Sequence, residues 1–453
     1  MPTRKRQFAA ALLACSIGIS SIAPAYGQSG NLPIVRDAEI EALLVDYMQP
    51  LLRASGVSSR RTEIVLVNAR SFNAFVSGRK IFINLGAIVQ SETPNELIGV
   101  LAHEIGHLAG GHQDRLRQQI DRAQTIATVT SLLGVGAAIA AGASGSRAGA
   151  SAGAGLAAGG AEAAKRGLLS YQRTEELAAD RAAVEYLNKT KQSSKGMLTT
   201  FGRFQSNLSL VRDRIDPYRL SHPLPRERIA ALQTIAKESP YFNASDPAAL
   251  QVRHDKARAK ILSYTYGPNA VEQALGKTSK TTALRYGRAI STFLYRNPRD
   301  AIKQIDSLIK SAPNNAYYYE IKGEILLKAQ DAPGAVSAFS KAVRLDGGKS
   351  ATMLVALGHA LVLSGKESDI RRAVGELEVA VSIDPNNPRA YRHLAMAYGR
   401  MGDSGSANLA TAEQNFYSGQ YKTAKQFAAR AKRAFRKNEP QWLRADDIMR
   451  FKR

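Results

Sequence analysis

The sequence predicts a mainly α-helical protein with a small β-sheet, in which an N-terminal domain is followed by an α-solenoid of helical repeats. Three observations carry that expectation. Apolar residues recur at helical spacing through residues 96–102. Two short runs, Ile64-Val65-Leu66-Val67 and Lys80-Ile81-Phe82-Ile83-Asn84, read as strands. From about residue 282, small residues return after 34 or 35 positions, as at Ala289, Gly323 and Gly358.

Taken in order, the first elements concern export. Residues 1–27 read as a secretory signal: Arg4-Lys5-Arg6 are charged, residues 8–22 are mostly apolar, and Ala25-Tyr26-Gly27 offers a small-x-small cleavage site. The apolar core is short for a membrane span. The single cysteine, Cys15, lies inside this segment, so the mature fold is expected to hold no disulfide. A helix is expected over 38–52, then the two strands. The second strand, just before the next helix, is expected to edge a cleft, where an extended peptide can pair with it through main-chain hydrogen bonds.

The chemistry is densest at His103-Glu104-Ile105-Gly106-His107. Thr93-Pro94-Asn95 resembles a helix start, and on a helix positions i and i+4 share a face, so both imidazoles can meet one metal ion. Glu104 stands beside them as a candidate general base. A zinc site of this class takes a third protein ligand and leaves one position open. Residues 171–183 read as a helix on which Glu176 and Asp180 share a face. Glu176 can ligate, and Asp180 can accept the spare N–H of a ligating histidine. Glu175 is adjacent, so spacing alone leaves the two in question; the apolar positions Leu177, Ala178 and Val184, which would bury the face that carries Asp180, favour Glu176. His222, between Ser221 and Pro223-Leu224-Pro225, sits on a stiff loop. Near zinc it can stabilise an oxyanion or fill the open position; otherwise it is a loop histidine bonded to backbone. His112 falls about 140° off the ligand face on a continuous helix and is left out. His254, His359 and His393 read as helix residues without a metal role.

With these residues in place, the chain resembles the gluzincin metalloproteases of the HtpX and prenyl-protease type. Within them it resembles the soluble periplasmic BepA-like branch, which carries a tetratricopeptide tail. The matching residues are Asn73-Ala74-Phe75, residues 78–86, the histidine motif, Glu176 with Asp180, and Ser221-His222-Pro223-Leu224-Pro225 with Arg228. The resemblance implies Zn2+, with His103, His107 and Glu176 as ligands and Glu104 as base. It also implies misfolded or stalled outer-membrane proteins as clients, the outer-membrane assembly machinery as a partner held by the repeats, and a chaperone role. One departure is Gly78-Arg79, where the family commonly has paired glycines; that puts the local turn in question.

The segment 126–167 lies between the ligand helices. It is apolar to residue 143, then rich in Ala, Gly and Ser from Ser144-Gly145-Ser146-Arg147 onward. It reads better as a mobile helical flap over the cleft, an interfacial segment or a close-packed helix pair than as a membrane span. The formal net charge is +24, of which the signal-like segment accounts for three. Such a charge favours anionic partners, including a membrane surface touched peripherally. Export to the periplasm makes nucleic acid an improbable partner, and the lack of multiple spans excludes an intramembrane prenyl protease.

Four domains or segments follow: signal 1–27, protease 32–250, helical connector 251–281 and tetratricopeptide repeats 282–440. Within the repeats, Ala301 and Ala335 are 34 apart, as are Leu308 and Ala342. Such small residues let two helices cross closely. Tyr319, Phe339, Tyr391 and Tyr398 are expected in the larger positions, and about three extra residues fall near 366–371. The sequence also admits a rival class, a non-proteolytic chaperone or scaffold with a capped zinc site. The intact Glu104 argues against it.

Overall fold

The computed structural model describes residues 32–143, 146–206, 222–223, 226–276 and 281–452. The signal-like segment 1–27, Ser144, Gly145, Ser221, Leu224 and Pro225 lie outside them. The chain forms two compact units. One takes the described residues up to 35 and residues 44–251; the other takes residues 36–43 and those from 252 onward, so the segment 251–281 falls almost wholly in the second unit. Helix α1 (Ala38–Ser55) starts in the second unit and continues in the first.

In the first unit, four strands form one sheet: β1 (Ile34–Val35), β2 (Glu63–Val67), β3 (Ala74–Ser77) and β4 (Lys80–Asn84), in the order β1-β2-β4-β3. β4 runs parallel to β2 and antiparallel to β3. This corrects one expectation: β4 is an inner strand, and the edge beside it is β3, which the sequence reading passed over. The cause is a two-residue turn. Ser77 pairs with Lys80, and Gly78 takes φ 61° while Arg79 does not need a positive φ. One glycine at the first central position closes such a hairpin. Phe75 and Phe82 are register partners and stack across it, 4.9 Å between ring centroids.

After the short helix α2 (Leu85–Gln90) comes α3 (Pro94–Gly110), the centre of this unit. Thr93 caps it by accepting from the Glu96 amide, Pro94 occupies its first turn, and Gly111 ends it at φ 64°. Every residue from Pro94 to His107 is buried. A helix apolar on nearly all sides belongs in a core. α4 (His112–Ala143) and α5 (Arg147–Lys189) form a long helical hairpin, and the helix expected over 171–183 is the distal part of α5. α6 (Lys195–Ser206) and α7 (Arg226–Lys237) complete the unit. Asn95 ties the start of α3 to the start of α6: its amide donates to Ser193 O at 2.6 Å and its Oδ1 accepts from Gly196 N at 2.6 Å.

The second unit is a run of helices. α8 (Ala248–Thr265) and α9 (Pro268–Leu275) precede five helix pairs. These are α10 (Thr282–Tyr295) with α11 (Pro298–Ser311), and α12 (Ala316–Lys328) with α13 (Ala332–Asp346). α14 (Ala351–Ser364) pairs with α15 (Glu367–Ile383), and α16 (Pro388–Arg400) with α17 (Ser404–Tyr417). α18 (Tyr421–Lys432) and α19 (Pro440–Arg450) follow. The expected small residues sit where paired helices touch: Gly323 faces the Phe339 ring and Gly358 faces Leu377. The extra residues near 366–371 lengthen α15. Phe339 and Tyr391 fill buried positions as expected; at 318–319, Tyr318 is the buried ring and Tyr319 is half-buried.

Candidate metal centre and active site

His103 and His107 emerge from one face of α3, and Glu176 and Asp180 from one face of α5. These helices approach closely at Gly106, where an added Cβ would stand 2.9 Å from Ala179 O. The glycine inside the histidine motif is therefore what lets the carboxylate helix reach the imidazole helix. The ligand atoms of His103, His107, Glu176 and His222 all lie within 4.8 Å of one another, and all four residues are buried. His103 Nε2 is 3.0 Å from His107 Nε2 and 3.3 Å from Glu176 Oε2. His107 Nε2 is 3.3 Å from Glu176 Oε1. His222 Nδ1 is 3.0 Å from Glu176 Oε1 and 3.3 Å from His103 Nε2.

The protons in this cluster can be traced from its outer shell. Asp180 Oδ1 lies 2.9 Å from His103 Nδ1. An N–H pointing at that carboxylate leaves a lone pair on His103 Nε2. Glu175 Oε2 lies 2.8 Å from His112 Nε2, and His112 Nδ1 is 2.8 Å from His107 Nδ1. With His112 donating to Glu175, His107 donates to His112 and turns a second lone pair inward. Two lone pairs and a carboxylate thus face a common point. Donors placed around a metal at about 2.0–2.1 Å in a tetrahedron stand about 3.3 Å apart, which matches these separations. The residues present fit a metal ion.

The two imidazoles are perturbed in opposite directions. Burial favours the neutral form of His107 and pushes it down to about 3. Burial acts the same way on His103, but Asp180 and Glu176 outweigh it and raise His103 to about 9. Burial opposes the charge of Glu176, yet His222 and Arg228 hold its carboxylate well below the usual range. Burial likewise opposes Asp180, and Arg228 overcomes it through Nε at 2.7 Å and Nη2 at 2.8 Å. Arg228 Nη1 also reaches Glu176 Oε2 at 2.6 Å and donates to Pro223 O at 2.9 Å. One guanidinium therefore fixes both carboxylates and the loop of His222. Burial raises Glu104 above the usual carboxylate range. Its Oε1 is buried, accepts no hydrogen bond, and lies 3.4 Å from His222 Nε2.

Peptidase family M48 matches residues 36–236 of this chain. Residues 36–236 are an M48 peptidase domain. The beta-barrel assembly-enhancing protease of Escherichia coli (strain K12) is 25% identical over 327 residues, covering 69% of this chain and 63% of that protein. The protein of the same name from Yersinia pestis is 25% identical over 402 residues, covering 86% and 78%. A putative one from Vibrio cholerae is 23% identical over 301 residues, covering 64% and 59%. The matched part thus spans less than two thirds of the first relative's length.

Within the M48 domain, the sequence-predicted residues His103, Glu104, His107, Glu176, Asp180 and His222 come together. The structure separates the two adjacent glutamates: Glu176 joins the cluster, whereas Glu175 supports His112. His112 is the residue that sequence reasoning missed. Its exclusion assumed one continuous helix, and Gly111 breaks that helix, turning His112 back onto His107. The signal was present in Gly110-Gly111, a typical helix stop. His359 and His393 stack at 4.3 Å between ring centroids and, like His254, stand apart from the cluster.

Proposed function

We propose that this chain is a periplasmic zinc-dependent endopeptidase that degrades misfolded or stalled outer-membrane proteins and assists their assembly. The observation that supports it most is the convergence of His103, His107 and Glu176 with Glu104 at their side. A closed structural zinc site has no use for a buried carboxylate with an oxygen, Glu104 Oε1, that accepts no hydrogen bond. Zinc, when bound there, supplies Lewis-acid polarisation of a peptide carbonyl and makes water easier to deprotonate. Glu104 takes the proton of the attacking water and returns it to the leaving amine. Asp180 and His112 hold the tautomers of His103 and His107, and Arg228 holds Asp180. The edge strand β3 offers main-chain groups to an extended substrate.

The names of the relatives point to β-barrel assembly as the setting, and the signal-like segment points to export. In this reading the helix pairs of the second unit are tetratricopeptide repeats that hold clients or the outer-membrane assembly machinery. The test is Glu104→Gln. It should keep about one zinc per chain while cleavage of an unfolded protein falls about 10²–10⁴-fold. Clients trapped by that variant, identified by mass spectrometry, should be envelope proteins. Near-normal cleavage by Glu104→Gln would sink the mechanism.

A second reading, a chaperone or scaffold with a capped zinc site, draws on the position of His222. Its Nδ1 stands where a fourth ligand would, so the resting site is covered. His222→Ala should raise cleavage severalfold if the imidazole is a removable cap. A lower rate would assign it to transition-state stabilisation instead. Restored metal binding with no cleavage by either form would favour the scaffold.

A further inference from the structure

The α4–α5 hairpin carries a feature that the peptidase reading leaves unused. Its two helices run antiparallel, with Thr130 against Gly160, Gly134 against Gly153 and Ala141 against Gly149. At Gly134 an added Cβ would fall 2.4 Å from Gly153 O. The contact between the helices is thus made by small residues, although Gly136, Gly155 and Gly159 face open space, and the large apolar side chains point outward. Leu132 is 68% exposed and Ile139 62%, with Ile126, Val129, Leu133 and Leu156 also exposed. Small residues inward and large aliphatic ones outward is the reverse of a water-soluble hairpin and the pattern of helices packed in lipid.

Charge follows the same division. No charged residue occurs between Arg122 and Arg147, and none between Arg147 and Glu162. Along the helices these stretches rise about 32 Å from Arg122 to Ala143 and about 22 Å from Arg147 to Glu162. Those lengths are comparable with the hydrocarbon core of about 30 Å. The base of the hairpin is basic. Residues 114–122 and 162–173 hold Arg115, Arg117, Arg122, Lys165, Arg166 and Arg173 against three acidic residues. Threonine hydroxyls on the apolar stretch are satisfied within the helix: Thr125, Thr128 and Thr130 each donate to a carbonyl four residues back at 2.8 Å. Internal pairing of polar groups is what a hydrocarbon environment demands.

We propose that the apolar end of this hairpin inserts into an anionic phospholipid bilayer, with the basic base held at the headgroups. The occupant is lipid because the exposed surface is uncharged and carries large aliphatic side chains, chiefly on α4, the charge-free length of α4 is comparable with a bilayer core, and the flanking charge complements anionic headgroups. Insertion tethers the M48 domain to a membrane surface. The inference does not depend on the peptidase reading and can be tested in an inactive background.

The experiment is flotation of the full chain carrying Glu104→Gln with vesicles of about three parts phosphatidylethanolamine to one part phosphatidylglycerol, and with phosphatidylcholine alone. The protein should float with the anionic vesicles. Leu132→Asp with Leu133→Asp should reduce the floated fraction about tenfold or more while metal content and helicity stay unchanged. Leu132→Cys carrying an environment-sensitive fluorophore should brighten on vesicle addition and be quenched by acyl-chain quenchers, which keeps the test valid if the double variant misfolds. Failure to float, equal flotation of the double variant, or a fluorophore reached only by aqueous quenchers each overturns insertion. A lipid-free dimer abolished by the two aspartates would assign this face to a second copy of the chain and overturn it as well.

Discussion

Both units bury a cluster of ionisable side chains, and the clusters are built on opposite rules. In the second unit, Lys256 Nζ meets Glu39 Oε1 at 3.1 Å, and Lys260 Nζ meets Asp37 Oδ2 at 2.8 Å and Glu320 Oε2 at 3.3 Å. Tyr286 donates to Glu39 Oε2 at 2.8 Å. Each cation there faces anions of the same unit, and the aromatic rings of Tyr286 and Tyr318 lie within 6 Å of Lys256. In the M48 domain, acceptors face acceptors, and the outer groups Asp180, His112 and Arg228 aim them inward. A buried cluster that neutralises itself joins parts of a fold. A buried cluster whose donor atoms face one another around a common point fits a metal ion even with a guanidinium at its outer side.

That contrast can be broken most directly at His103. Replacing it by alanine should remove most of the zinc and lower cleavage at least as far as Glu104→Gln does, while the second unit unfolds as before. Metal analysis beside urea unfolding checks both halves. Full zinc retention would mean that the cluster is not the metal site.

The next largest effect is expected at Lys260, whose neighbours Asp37, Glu320 and Glu39 raise its pKa well above the ordinary value against the pull of burial. Lys260→Met leaves those carboxylates without their cation. Breaking a buried pair by removing one partner costs about 3–5 kcal/mol. Unfolding of the second unit should move accordingly, with zinc content unchanged. A loss of zinc here would erase the distinction between the clusters.

The smallest effect sharpens the comparison through pH. Burial pushes Glu413 up to about 7 although Arg444 lies 3.2 Å away. A carboxyl whose folded pKa exceeds its unfolded value contributes stability that is fully present below the unfolded pKa of about 4.3 and is lost as pH rises towards 7. Glu413→Gln should therefore stabilise the second unit by about 2 kcal/mol near pH 8 and by little near pH 4. Thermal unfolding at the two values decides it; an equal change at both would show that the gain is not protonic.

Part of this protein was legible along the chain because the information is local. The pairs His103–His107 and Glu176–Asp180 are four residues apart, so helical pitch alone puts each pair on one face. Thr93 and Pro94 mark a helix start, and the recurrence of Ala289, Gly323 and Gly358 marks helices that cross closely. Other features depended on segments that meet only after folding. β3 took its edge position from a turn at Gly78, His112 was redirected by the break at Gly111, and His222 reached Glu176 from 46 residues away in sequence. Glu176 is favoured over Glu175 by the apolar residues Leu177, Ala178 and Val184, whereas the contact of Glu175 with His112 comes only from the packing across from α5. The alternation of small and large residues in the α4–α5 hairpin acquired a direction only when the helices paired. Spacing within one helix is set by backbone geometry and is written in the sequence. Which groups face one another across helices is set by close packing of distant segments, and only the tertiary structure decides it.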